Sequence, residues 1–247
     1  EAAELVEQRG FNALKFDPFP GPWREYPNRD ELAEAADTVG KVREAVGPHV
    51  ELLIEVHRRL APVHAISAAK QMEKYNPYWF EEPCPPDNID AILEVKNNTT
   101  IPVVTGEAHY TRNGFREIFD KRAVDIINPD ICNTGGILEL TQIAAMAQPH
   151  YIAVSPHGYN STSIGCAAAV HASATIPNFL IYEYFVNVED VCRNITKGYL
   201  EPNNSYIELP TDPGLGIEID ETKLANHPYA PFPPRNIRTV EDERRWH

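Results

Sequence analysis

The sequence predicts an α/β fold in which parallel strands close into a (β/α)8 barrel. The chain has 247 residues, of which 43% are hydrophobic, a normal size for one barrel around a single core. Short apolar runs alternate with amphipathic helical patterns along most of the chain. An ionisable residue follows nearly every apolar run, and a barrel gathers such residues at one end.

The predicted elements alternate regularly between strand and helix. An amphipathic helix that ends at Gly10 comes first, a strand at 13–16 follows, and a helix then runs from about Asp30 to Gly47. Further strands are predicted at 52–54, 78–80, 103–104, 124–127, 151–154 and 179–182. Seven strand–helix units are counted in this way, so we expect the eighth barrel strand to lie upstream of Glu1.

The C-terminal part of the chain differs in composition from the rest. From Pro202 onward it is rich in proline and glycine, as in TDPGLGIEID and HPYAPFPPRN, and this favours irregular structure. We therefore predict two regions. Residues 1–200 form a (β/α) barrel that is incomplete at its N-terminus, and residues 201–247 form a Pro-rich tail that packs on the barrel.

The charge balance argues against several classes of partner. Lys plus Arg number 22 against 36 Asp plus Glu, a net charge of −14, which is unfavourable for binding nucleic acid or an anionic membrane surface. Apolar runs stop short of the roughly 20 residues that span a bilayer. The four cysteines form no C-x-x-C pair, which is typical of reduced thiols. We expect a cytoplasmic protein without nucleic-acid or membrane partners.

Ionisable residues recur at a regular spacing along the chain. From Glu55 onward, successive members of this series lie 23 to 27 residues apart, the length of a strand and a helix together. A barrel brings such residues to one mouth, whereas an open sheet would spread them along a line. The series consists of Lys15, Glu55, Glu81, Glu107, Asp130, His157 and Glu183.

Three consecutive members of the series are carboxylates. Glu55, Glu81 and Glu107 offer the hard oxygen ligands that Mg²⁺ prefers, so we expect them to form a metal site. Asp130 and His157 follow neighbouring strands, and a carboxylate in that position can orient the imidazole as a general base.

A second histidine is expected on the opposite side of the ring. His57 lies two residues after Glu55, and alternate residues of a strand point to the same face. We therefore expect His57 and His157 to flank one metal-held substrate.

Seven short motifs occur in a definite order along the chain. They are ALKFDPF, LLIEVHRR, WFEEP, VVTGE, INPDICNTGG, SPH and YE. In this order they resemble the enolase superfamily, mandelate racemase subgroup, and most of all its gluconate- and galactonate-type acid-sugar dehydratases. The resemblance covers about Glu1 to Asp220 and implies a (β/α)8 TIM-type barrel domain, with the first strand and the N-terminal capping domain lacking here.

The resemblance implies a role for each member of the series. The ligands of Mg²⁺, or of Mn²⁺ in its place, are Glu55, Glu81 and Glu107. The base dyad is His157 with Asp130, and His57 matches the general acid of the dehydratases. Glu183 is a hydrogen-bonding electrophile beside the substrate carboxylate, where Lys15 adds positive charge.

The implied activity is the Mg-dependent dehydration of a sugar acid, an aldonate, to a 2-keto-3-deoxy acid. His157 removes the C2 proton, the metal stabilises the enediolate, and His57 protonates the departing C3 hydroxyl. Two alternatives stay open: a racemase or epimerase of a 2-hydroxy acid, and a truncated, inactive member that binds metal or an anion. Barrels of this family commonly associate, so we expect a homo-oligomer that binds a small-molecule sugar acid.

The chain departs from the family pattern at three points. Glu55 stands where the superfamily most often has Asp, which favours the gluconate-dehydratase-like members. Phe16 and Asp17 follow Lys15 where racemases carry a second lysine base, and this disfavours a two-base racemase. By this resemblance, we expect the capping domain that closes such sites and selects the substrate to be missing from this sequence.

Three further polar side chains are predicted to contact the substrate. Each lies within two residues of a member of the series, beyond the end of a strand. They are Asp17, His109 and Glu82. Glu82 is also expected to fix the loop that carries the metal ligand beside it.

Overall fold

Six parallel strands form the central sheet in the described part of the protein. The computed structural model describes residues 1–19, 25–229 and 231. Each strand pairs in parallel with the next one in the chain. The strands are β1 Ala13–Phe16, β2 Glu51–Glu55, β3 Trp79–Glu81, β4 Val103–Thr105, β5 Ile126–Ile127 and β6 Ala153–Val154.

Helices connect the strands. In the described ranges they are α1 Ala2–Arg9, α2 Arg29–Val46, α3 Pro62–Met72, α4 Ile89–Lys96, α5 Thr111–Lys121, α6 Ile131–Thr134, α7 Gly136–Ala147, α8 Thr162–Ser173, α9 Glu189–Ile195 and α10 Glu221–Leu224. Short 3-10 helices lie at Glu73–Tyr75, Gln148–His150 and Val186–Val188. None of these helices combines the length and the apolar character needed to span a bilayer.

The predicted strand at 179–182 is present as an irregular seventh strand. Phe179 is bridged in parallel to Val154, and the N–H of Leu180 donates to the carbonyl of Val154. In the described ranges this segment does not pair with β1. A cleft with a volume of about 960 Å³ lies between them, and Leu53 and Trp79 reach it from the barrel interior.

The C-terminal region contains a small antiparallel pair, β7 Thr196–Lys197 with β8 Glu218–Ile219. The hydroxyl of Ser205 accepts the N–H of Asn12 at 2.8 Å and donates to the carbonyl of Gly10 at 3.2 Å. This part of the predicted tail therefore contacts the chain just before β1. Residues 230 and 232–247 of that tail lie outside the described residues.

Local sequence sets both ends of α2. The side chain of Asn28 accepts the N–H of Glu31, and the side chain of Glu31 accepts the N–H of Asn28, which forms a capping box. The buried positions recur at helical spacing: Leu32, Ala35, Ala36 and Val39. The helix ends at Val46 because Gly47, with a φ of 79°, turns the chain away.

Both faces of the sheet are buried. Along β2, Leu52 and Ile54 pack in the outer core against the helices, whereas Leu53 packs with Trp79 in the barrel interior. Successive side chains of a strand point to opposite faces, which explains why β2 is continuously apolar. Glu55 shares the inner face with Leu53 and thus stands at the end of the barrel interior.

We predict that Ile54→Ala lowers the free energy of unfolding by about 2–5 kcal/mol, because it leaves a cavity in a packed core. Ile54 has no exposed surface. Urea unfolding followed by circular dichroism measures the change. Val63→Ala is the control: Val63 on α3 is 66% exposed, so its effect should stay within about 0.5 kcal/mol. Equal effects of the two substitutions would contradict the core position of Ile54.

Candidate active site

Three glutamates meet at the carboxyl ends of neighbouring strands. Glu55 is the last residue of β2 and Glu81 is the last residue of β3, and the two are paired in register. Glu107 lies two residues beyond β4. One carboxylate oxygen from each of the three lies within 4.8 Å of the others. The structure therefore brings together all three residues that were predicted as metal ligands.

The donors of this carboxylate cluster, Glu55, Glu81 and Glu107, fit a divalent cation. Glu55 and Glu81 are only 2% and 0% exposed. Among the described residues, Oε2 of Glu81 is buried without a hydrogen-bond partner. Mg²⁺ binds oxygen at about 2.0–2.1 Å, so two of its ligands are at most about 4.2 Å apart. The spacing of the cluster is close to this limit, and its hard oxygen donors are of the kind that Mg²⁺ prefers.

Within the described residues, the carboxylate cluster pairs with one lysine and one arginine. The ammonium group of Lys15 lies 2.9 Å from Oε2 of Glu55 and also contacts Oε1 of Glu81. The guanidinium group of Arg58 pairs with Oε1 of Glu107. Three carboxylates therefore face two positive side chains, which leaves negative charge in excess.

The pKa shifts at the site reflect this crowding of negative charge. Burial, reinforced by the charge of Glu55, raises the pKa of Glu81 well above its usual value. Burial acts in the same direction on Glu55, but Lys15 and His57 outweigh it and lower the pKa of Glu55. Burial alone would lower the pKa of Lys15, yet Glu183 and the other carboxylates hold it well above its usual value. The site thus favours an additional cation.

Asp130 and His157 form a hydrogen-bonded pair beside the cluster. Nδ1 of His157 lies 2.7 Å from Oδ2 of Asp130, and Oδ1 of Asp130 accepts the N–H groups of residues 132 and 133 at the start of α6. Nε2 of His157 lies 3.0 Å from Glu107. Burial lowers the pKa of His157, but Glu183 and Asp130 outweigh it, and the pKa is raised. The ring is oriented as a general base requires.

Glu183 connects Lys15 to the histidine side of the site. Its Oε1 lies 2.9 Å from Nζ of Lys15, and its Oε2 accepts the N–H of Gly158 at 2.9 Å. A side chain at position 158 would overlap the carbonyl oxygen of Glu183, so glycine permits this close approach. Burial raises the pKa of Glu183, but Lys15 and His157 outweigh it and lower the pKa overall.

His57 reaches the site through a sharp turn. The strand alternation from which its position was predicted does not continue that far, because β2 ends at Glu55. His57 and Arg58 instead adopt left-handed φ values of 55° and 61°. The N–H of His57 donates to Oε1 of Glu55 at 2.6 Å, and its Nδ1 lies 2.7 Å from Oδ2 of Asp17. The structure thus places His57 and Asp17 together beside the cluster.

Glu82 and His109, which were predicted to contact the substrate, are both buried. Glu82 has no exposed surface, and its Oε1 accepts hydrogen bonds of 2.8 Å from residues 105 and 106. It therefore holds the turn that carries Glu107. His109 is 8% exposed, and its ring lies 5.7 Å from that of Phe115. The contacts of both side chains described here are with other protein groups, and their contact with the substrate stays a prediction.

Asn128 also contacts the cluster, although the sequence series does not include it. Its Nδ2 donates to Oε1 of Glu81 at 2.7 Å, and the residue is 2% exposed. Asn128 directly follows β5, and a polar residue directly after a predicted strand indicates a position at the mouth of the barrel. A search restricted to ionisable residues passes over it because an amide carries no charge.

Comparison with known proteins identifies the family. Residues 1–223 match the family described as enolase C-terminal domain-like. The chain belongs to this family. The D-xylonate dehydratase of Haloferax volcanii is 33% identical over 233 residues, which are 92% of this chain and 56% of that protein. The D-gluconate dehydratase of Thermoproteus tenax is 32% identical over 228 residues, 92% of this chain and 46% of that protein. This enolase C-terminal-like chain thus spans about half the length of these curated relatives.

Solved structures share the fold. A mandelate racemase/muconate lactonizing enzyme-like protein from Rubrobacter xylanophilus has a TM-score of 0.87 and 37% identity, over 92% of this chain and 60% of that one. The mandelate racemase/muconate lactonizing enzyme from Jannaschia sp. CCS1 has a TM-score of 0.87 and 32% identity, over 93% of this chain and 59% of that one. These findings confirm the predicted fold class and the resemblance to the enolase superfamily.

We predict that Mg²⁺ raises the thermal midpoint of this enolase C-terminal-like domain. A ligand that binds only the folded state stabilises it by about 2.7 kcal/mol at 100 times its Kd. Glu81→Gln removes one charged ligand and should abolish most of the shift. Glu94→Gln removes an exposed carboxylate on α4 and should leave the shift unchanged. Thermal unfolding in rising Mg²⁺ measures both, and an equal shift in Glu81→Gln would refute the site.

Proposed function

We propose that this domain carries the active site of an acid-sugar dehydratase, a hydro-lyase that converts an aldonate into a 2-keto-3-deoxy acid. The observation that carries the proposal is a pair of histidines beside the carboxylate cluster. The backbone N–H of His57 donates to Glu55, Nε2 of His157 lies 3.0 Å from Glu107, and each ring has its Nδ1 against an aspartate. One histidine can then remove a proton while the other donates one. The names of the two dehydratase relatives agree with this assignment.

The substrate is an anion, and the chain has a net charge of −14, so the site must supply positive charge locally. We infer that Glu55, Glu81 and Glu107 hold Mg²⁺, or Mn²⁺ in its place. When bound, the divalent ion supplies a positive charge that attracts the substrate carboxylate and disperses the negative charge left by proton removal. Lys15, whose pKa is well above its usual value, stays protonated and adds to this stabilisation.

His157 is the proposed base that removes the proton from C2 of the substrate. Its Nδ1 donates to Asp130, so the neutral ring presents the lone pair of Nε2 to the site. The carboxylate of Asp130 stabilises the imidazolium that forms when this nitrogen takes up the proton. Both features lower the barrier to removing a weakly acidic proton.

His57 is the proposed acid in the second half of the reaction. It gives a proton to the C3 hydroxyl, the C3–O bond breaks, and the hydroxyl leaves as water. The electron pair left at C2 forms the C2–C3 double bond, and the resulting enol tautomerises to the keto acid. The proton gained by His157 balances the proton lost by His57, so no further reactant is required.

Glu183 has a proposed role as a hydrogen-bond donor beside the substrate carboxylate. Its pKa is lowered by Lys15 and His157 against the effect of burial, so without substrate it is ionised and accepts hydrogen bonds. An incoming carboxylate adds negative charge beside it, which favours uptake of a proton. The protonated side chain then donates to the substrate.

We predict that His157→Asn lowers exchange of the substrate C2 proton with solvent deuterium by about 10²–10⁴-fold, because the base is lost. The measurement uses the protein that contains this chain, with Mg²⁺ and gluconate, galactonate, xylonate or arabinonate, followed by ¹H NMR. His49→Asn changes an exposed histidine at the opposite end of β2 and should keep full exchange. Undiminished exchange in His157→Asn would show that the base is misassigned.

We predict that His57→Asn keeps C2 exchange but lowers formation of the 2-keto-3-deoxy acid by about 10²-fold or more, because only elimination needs its proton. A carbonyl-specific assay measures the product. An epimerase with the same site would instead convert the aldonate into its C2 epimer. Epimer without keto acid from the wild-type protein would overturn the dehydratase assignment.

A further inference from the structure

We propose that Asp17 is a positioning residue for His57, which holds the imidazole in the tautomer and orientation that let Nε2 deliver a proton to the leaving hydroxyl. The inference rests on the proposed dehydratase function. It adds a second histidine–aspartate pair to the one formed by His157 and Asp130. The sequence alone had suggested the substrate as the partner of Asp17, and the proposal assigns His57 instead.

The contacts of Asp17 carry the proposal. Asp17 directly follows β1, and its Oδ2 lies 2.7 Å from Nδ1 of His57. Its Oδ1 accepts the N–H of Phe19 at 2.9 Å, so both oxygens are engaged. The side chains of His57 and Asp17 are 19% and 24% exposed. Partial exclusion of water strengthens the hydrogen bond between them.

Arg59 holds the carboxylate of Asp17 in place. Its guanidinium group pairs with Oδ2 of Asp17, and its Nε donates to the carbonyl of Val56 at 2.9 Å. Arg59 is 7% exposed, and its guanidinium carbon lies 5.5 Å from the centre of the Phe19 ring. Rotation of Asp17 away from His57 would leave a buried cation without this partner, which is costly.

The two aspartates at the site are built in the same way. Each stands beyond the carboxyl end of a strand and uses Oδ1 to accept the backbone N–H two residues ahead, from Phe19 for Asp17 and from Cys132 for Asp130. Each places Oδ2 at 2.7 Å from Nδ1 of a histidine. The arrangement thus occurs twice, once where the proposed reaction needs a base and once where it needs an acid.

This hydrogen bond determines which nitrogen of His57 gives up a proton. Both nitrogens of the imidazolium carry hydrogen, and Nδ1–H stays bound to Asp17. The proton that moves to the C3 hydroxyl oxygen therefore comes from Nε2, the C3–O bond breaks, and water leaves. The ring remains as the neutral Nδ1–H tautomer, which the carboxylate stabilises. Loss of an orienting carboxylate beside a histidine leads to the wrong tautomer.

The tautomer of His57 tests the positioning role without any substrate. Long-range ¹H–¹⁵N NMR, which distinguishes the two neutral tautomers of an imidazole, should find Nδ1 protonated in the wild-type protein. Asp17→Asn should move the signals toward the Nε2–H tautomer, and His57→Asn identifies which signals these are. Asp37→Asn makes the same change at an exposed position of α2 and should leave them unchanged. Unaltered signals in Asp17→Asn, with other histidines at native shifts, would overturn the proposal.

The balance between C2 exchange and elimination tests the role in the reaction. In the protein that contains this chain, with Mg²⁺ and the aldonate that it converts fastest, Asp17→Asn should keep C2 exchange within a few-fold and lower keto-acid formation by about 10²-fold. Asp130→Asn is the converse variant, because it acts through the base, and should lower exchange itself. An equal loss of both rates in Asp17→Asn, or no loss of either, would overturn the proposal.

The two measurements separate failure of the positioning role from failure of the proposed function. If the wild-type protein exchanges the C2 proton of none of the aldonates, the dehydratase proposal fails. The NMR measurement then still decides whether Asp17 sets the tautomer of His57, since it requires no turnover.

Discussion

The mouth of the barrel depends on the ion pairs that the ammonium group of Lys15 makes with three carboxylates. The ammonium group lies 2.9 Å from carboxylate oxygens of Glu55 and Glu183 and also contacts Glu81. A carboxylate removed from water without a partner is destabilised by several kcal/mol, and here buried acids come from two strands and from the irregular segment at 179–183. Lys15 offsets their repulsion and so links β1 to each of these elements. A divalent cation would meet the same electrostatic need.

The register of the parallel strands turns this charge cluster into a site with two sides. Glu55 and Glu81 end paired strands at the same level, so the proposed metal ligands occupy the centre. The residues that would move protons lie just beyond the strand ends. His57 and Arg58 have left-handed backbone conformations, and these direct the side chain of His57 toward the site. His157 is positioned by a parallel β-bridge to Asp130. The strands thus position Glu55 and Glu81, and the segments that follow the strands orient the two imidazoles.

Much of the fold followed from periodicity, but the ends of the elements did not. The apolar runs at 124–127 and 151–154 predicted longer strands than β5 and β6. Asp125 instead uses its side chain to accept the N–H of Val103, and Tyr151 has a left-handed φ of 60°. Val124 and Ile152 are buried although they lie outside β5 and β6, and composition alone does not distinguish a buried strand residue from a buried residue beside a strand.

The sequence by itself determined which acids meet. Strand and helix together take up 23 to 27 residues, and parallel strands end on one side, so Glu55, Glu81 and Glu107 had to lie together. Only the tertiary structure decided the partners of Asp17, His57 and the buried Glu82. Those partners depend on left-handed turns and on loops from other strands, and the energy of such contacts arises between segments that are distant in sequence.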